Sequence, residues 1–95
     1  MTWGSEVEVE RRKRIRAALA AYAYEVKSHS IMTDAEYDAL CLSINPEIET
    51  GHEVLDFFFE MEFEPDTGLW VHNHPEFDKL EKLYERLYEN GTTMD

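Results

Sequence analysis

The chain is short of several things. It has one cysteine, Cys41, among 95 residues, which excludes an internal disulfide and a zinc site built from several thiolates. It has only 4 glycines and 3 prolines, and no glycine-rich loop of the kind that cradles phosphate. Its apolar runs are a few residues long, too short for a membrane-spanning helix, and residues 1–16 lack the apolar core of a secretion signal. Cations are scarce: 9 Lys+Arg face 21 Asp+Glu, a net charge of -12. A phosphate backbone would be repelled by most of such a surface, so direct nucleic-acid binding is not expected. Hydrophobic residues reach 43% and aromatics 13%, enough for one small core-bearing domain over 1–95 and too many for a disordered acidic tail. A cytoplasmic location follows as the expectation.

The charge is unevenly spread. Residues 1–16 carry Arg11, Arg12, Lys13, Arg14 and Arg16 against three glutamates, and the rest of the chain is strongly negative. Between 47 and 66 stand Glu47, Glu49, Glu53, Asp56, Glu60, Glu62, Glu64 and Asp66 with no Lys or Arg. The plainest function of such a stretch is solubility. The sharper one is a negative field that steers a basic partner. The basic run 11–16 reads as the wet face of a helix, with Glu8–Arg12 and Glu10–Arg14 as i,i+4 pairs.

The periodicities predict a mainly α fold: an antiparallel helical hairpin over 6–45, an acidic aromatic segment over 47–74, and a C-terminal helix over 75–90. Ser5 and Glu8 resemble a capping box opening a helix that runs to about Ser28. Ile15, Ala18, Leu19, Tyr22 and Val26 form its apolar stripe. Thr33 and Glu36 make a second capping box, and Asn45-Pro46 stops the helix that follows at about 34–45. Residues 52–63 suit a third helix opened by Thr50 or Gly51. The alternation of Phe57, Phe59, Met61 and Phe63 with glutamates leaves a short β-hairpin within 57–72 open as the alternative. Pro75 sits in a first helical turn. Phe77, Leu80, Tyr84, Leu87 and Tyr88 form the last stripe, and Asn90-Gly91 closes it.

Residues 22–40 include Tyr22-Ala23-Tyr24 and Asp34-Ala35-Glu36-Tyr37-Asp38-Ala39-Leu40. This stretch resembles the small N-terminal helical domain (domain Ia) of bacterial NAD-dependent DNA ligases, and the whole chain resembles small phage and prophage proteins related to them. The resemblance implies a helical hairpin that grips the nicotinamide mononucleotide half of NAD, with Tyr24, Asp34, Tyr37 and Asp38 at the gripping positions. A tyrosine face can stack on a cationic pyridinium, and a carboxylate can accept from ribose hydroxyls. The family usually has histidine where this chain has Glu25, and proline where it has Ser30. A ligase also needs a nucleophilic lysine in a Lys-x-Asp-Gly setting. No such motif occurs, so this chain is not expected to ligate or adenylate anything, and no cofactor is required of it.

Other constellations are weaker. His72 and His74, with Asp66 or His52, could meet at a metal, but a loop that caps the last helix is the simpler reading, and no metal is assigned. Cys41 lies on an apolar stripe and reads as a core residue. Phe57-Phe58-Phe59 cannot all face inward on one helix, so one should be exposed, at an interface, or buried by a second copy as a homodimer. Two functions remain. In the first the chain is a non-enzymatic acidic module with a basic, nucleic-acid-handling protein partner bound through Glu53, Asp56, Glu60, Glu62, Glu64 and Asp66. It would resemble in size and charge the phage inhibitors of host defence, anti-CRISPR proteins among them. In the second it binds nicotinamide mononucleotide or NAD, as an accessory acting in trans.

Overall fold

A long alanine-rich helix forms the axis of the molecule. In the computed structural model, which describes residues 6–90, α1 spans Glu6–Lys27, α2 Asp34–Ser43, α3 Glu53–Met61 and α4 Phe77–Tyr84. A 3-10 turn, Leu69–Asn73, precedes α4, and a π-helical stretch, Glu85–Asn90, continues it. Ser5 and Gly91, expected as caps, lie outside the described residues.

Every residue from Ala17 to Ala23 in α1 is buried. Five of these seven are alanines, whose small side chains let α2, α4 and the 3-10 turn approach closely on different sides. The expected single stripe is therefore replaced by an all-round belt. Ile15 and Val26, expected in the stripe, lie beyond the belt and are exposed. Tyr22 is the anchor on the α4 side. Its ring meets Phe77 edge-on at 5.3 Å and Tyr84 at 5.6 Å.

α1 ends in a tight turn through one left-handed residue. Ser28 takes a left-handed φ of 53°, and the His29 amide donates to the Ala23 carbonyl at 2.9 Å. The capping box expected at Thr33 and Glu36 forms, with both reciprocal bonds in place. The hairpin is antiparallel: α2 starts near the end of α1, and its far end returns to the beginning. There Lys13 Nζ donates to the Ser43 carbonyl at 3.0 Å, and Glu10 accepts the Asn45 amide at 3.0 Å.

The 57–72 segment contains no strand. A strand would put Phe57, Phe59 and Met61 on one face. Phe59 is buried, whereas Phe57 and Met61 are each 63% exposed. A helix instead turns Phe58 and Phe59 inward together, and Leu69-Trp70-Val71 winds into the 3-10 turn rather than a returning strand. Gly68 opens that turn close against α1; a Cβ there would stand 3.4 Å from the Ala21 Cβ. The cap of α3 is neither Thr50 nor Gly51 but His52, whose Nδ1 accepts the Leu55 amide at 3.3 Å. Gly51 supplies the positive φ of 90° that turns the chain into it.

In the last helix Pro75 precedes the first turn instead of occupying it. Leu80 and Tyr84 are buried as expected, but Leu87 and Tyr88 are exposed. Tyr88 still packs its ring beside Tyr84 and His29, at 5.2 and 5.8 Å between centroids, in the π-helical stretch. Cys41 is buried in the core, as expected, and burial raises its thiol pKa, so it stays protonated.

Candidate functional site

The basic run of α1 is only partly a wet face. Arg14 is 5% exposed and Glu10 1%. The Arg14 guanidinium donates through Nε to Glu10 at 2.8 Å, through Nη1 to Asp56 at 2.8 Å, and through Nη2 to the carbonyls of Asn45 and Ile48 at 3.1 and 3.0 Å. It also lies 5.1 Å from the Phe59 ring centroid. Asp56 accepts the Thr50 amide at 2.9 Å and the Thr50 hydroxyl at 2.6 Å. Burial pushes the Asp56 carboxyl up, but the Thr50 and Arg14 hydrogen bonds outweigh it and leave the pKa below the usual carboxylate value. This network ties the 44–50 loop and α3 to α1. Asp56, expected among the partner-binding acids, is consumed by it.

The other acids do not share one surface. On α3, helical spacing leaves Glu53, Val54, Phe57, Glu60 and Met61 as an exposed outward face. A shallow groove of about 450 Å³ runs along it, lined by Glu47, Glu49, Glu53, Asp56, Phe57 and Glu60 among others, with no Lys or Arg. Glu62 stands past the helix end, where Asn73 Nδ2 donates to it at 3.4 Å. Glu64 is exposed in the following loop. Asp66 lines a different cavity.

That second cavity, about 310 Å³, lies between α1, the 30–32 linker and α2. Tyr24, Asp34, Tyr37 and Asp38 all line it, together with Asp66 and Gly68. Tyr24 is 61% exposed and forms an open wall. Tyr37 is tied down: its hydroxyl donates to the Thr67 carbonyl at 3.0 Å, and burial raises its pKa. Glu25 is not on this cavity; it pairs with His72 Nε2 at 3.3 Å. The cavity holds three carboxylates and no cation, so it favours cationic or hydroxyl-rich groups over phosphate.

Among the described residues no group of three metal-ligating side chains converges, at His72 and His74 or elsewhere. His74 instead leads into α4, its Nδ1 accepting the Glu76 amide at 3.0 Å. Burial pushes its pKa down to about 4, so its ring is neutral near pH 7.

A third cavity, about 350 Å³, went unread in the sequence. It gathers Arg11, Ile15, Leu55, Phe59, Lys79 and Leu83 with others from α1, α3 and α4, and no local spacing links residues so far apart. Among the described residues no helix is long and apolar enough to cross a membrane. Comparison with protein-family models, curated proteins and solved structures finds no match to this chain.

Proposed function

We propose that the chain is a non-enzymatic, acidic protein-binding module of the phage-inhibitor type, which covers the basic surface of a nucleic-acid-handling partner. The observation that carries this reading is the outward face of α3. Val54, Phe57 and Met61 are 57%, 63% and 63% exposed, and Phe57 lines a cation-free groove together with Glu53 and Glu60. Exposed apolar side chains among carboxylates suit a partner segment with Lys or Arg on its flanks and an apolar stripe between them. The carboxylates steer the encounter and the apolar row supplies contact area. The inhibitor type rests on size and charge.

The test is fluorescence anisotropy of a labelled Lys/Arg-rich amphipathic helical peptide over a salt series. Binding should weaken steeply with salt. Glu53→Lys with Glu60→Lys should abolish it, and Phe57→Ser should weaken it at all salt concentrations. Unchanged binding by the double charge reversal at low salt would remove the proposal. A second copy as the occupant would appear as a dimer in sedimentation.

A second reading rests on the cavity that collects Tyr24, Asp34, Tyr37 and Asp38. It would take the pyridinium and ribose of a nicotinamide nucleotide, with Tyr24 against the ring. Calorimetry with NAD and nicotinamide mononucleotide tests it; no heat at millimolar ligand with folded protein would remove it.

A further inference from the structure

The cavity between α1, α3 and α4 differs from the other two in both floor and rim. Its apolar lining is formed by Ile15, Ala18, Leu55, Phe59, Leu80 and Leu83. Its lining holds three cations, Arg11, Arg14 and Lys79, against one carboxylate, Glu76. The α3 groove and the Tyr24 cavity have carboxylates and no cation. Arg14 is taken up by Glu10 and Asp56, so on a chain of net charge -12 Arg11 and Lys79 are the cations this hollow offers a ligand.

The rim groups are held in place. The Arg11 guanidinium donates through Nη2 to the Thr50 carbonyl, which takes one of the five donors of its fork. Glu76 Oε2 meets both the Lys79 ammonium and His52 Nε2 at 3.2 Å, while the Lys79 side chain stays 76% exposed. His74 Nδ1 accepts the Glu76 amide, so its neutral ring carries its hydrogen on Nε2. Ile15 sits half-exposed on the wall, an apolar side chain without the cover that its neighbours in the belt receive. About 350 Å³ lies within the range of small-ligand pockets, about 300–1,000 Å³.

We propose that this cavity binds an amphiphile with a linear apolar tail and one carboxylate head, of the medium-chain fatty acid class. The tail lies on Ile15, Leu55, Phe59 and Leu83, and the head meets Arg11 and Lys79. The site is separate from the α3 face and stands or falls independently of it.

The probes are octanoate, octylamine and acetate, titrated calorimetrically into the whole chain, with amide-resolved NMR to locate binding. Octanoate should bind saturably at Ala18, Leu55, Leu80 and Leu83. Acetate lacks the tail and octylamine has the wrong charge, so neither should bind there. Arg11→Gln should weaken octanoate about tenfold, the loss of one charge-assisted contact. Lys79→Gln should do the same; Lys79 is mostly exposed, so this variant folds even if the first does not. The proposal is overturned by no octanoate binding at millimolar concentration, by equal binding of octylamine, by shifts elsewhere in the molecule, or by unchanged affinity in folded Lys79→Gln.

Discussion

Asp56 and Glu60 lie four residues apart on α3, are both acidic, and belong to the same cation-free stretch, yet they have opposite surroundings. Asp56 accepts from Arg14 and twice from Thr50. Glu60 is exposed on the groove. The difference is not in α3 but in what reaches it. Arg14, buried on α1, arrives at one carboxylate and not at its neighbour. Charge sign therefore does not assign a role to a residue; burial and the partner's reach do. The inner network is a structural joint, whereas the outer acids are free to meet another molecule.

The comparison breaks most sharply at Arg14. Arg14→Ala leaves Glu10 buried without its cation and Asp56 without one of its bonds. The expected loss is about 3–5 kcal/mol, a large share of a small domain's total of about 5–15 kcal/mol. Urea denaturation followed by circular dichroism measures it.

Acid should act on the inner side as well. His74 has a native pKa of about 4 against an ordinary 6.5. The unfolded chain therefore binds the proton first, and stability falls by about 3 kcal/mol as pH drops from 6.5 to 4. Asp56 has the opposite native preference for its charged form. Its contribution is intact above the ordinary carboxylate pKa and is lost as pH falls through its lowered native value. His74→Asn, which keeps an acceptor for the Glu76 amide, should flatten the upper limb of a stability–pH curve and leave the lower one. An unchanged upper limb would contradict the assignment.

Smaller effects mark the periphery. Thr33→Ala removes one arm of the capping box of α2 and should cost about 1 kcal/mol in the same denaturation experiment. Glu53→Gln and Glu60→Gln should each change stability by less than about 0.5 kcal/mol.

Much of the helical frame was legible in the sequence because its signals are local. Thr33 and Glu36 are three residues apart, and Phe77, Leu80 and Tyr84 mark a face within two turns. Glu10–Arg14 was legible as a pair, but not as a buried one, because its burial depends on Asp56 and on the carbonyls of Asn45 and Ile48, all distant in sequence. The all-round burial of α1 was likewise hidden: an alanine run permits several neighbours without specifying them. The register change after Tyr84 has no sequence signal that we identify. Of the two sets of site residues, Tyr24, Asp34, Tyr37 and Asp38 meet in one cavity because they flank a short interhelical linker. The acids of 47–66 disperse because a helix, its end and a loop point them in different directions.

The most direct test of this division measures unfolding and peptide binding on the same two variants, Asp56→Asn and the Glu53→Gln, Glu60→Gln pair. The inner variant should lose about 2 kcal/mol of stability and, while folded, still bind the basic peptide. The outer pair should keep its stability and lose most low-salt binding. Loss of binding in folded Asp56→Asn, or full binding by the outer pair, would contradict the account.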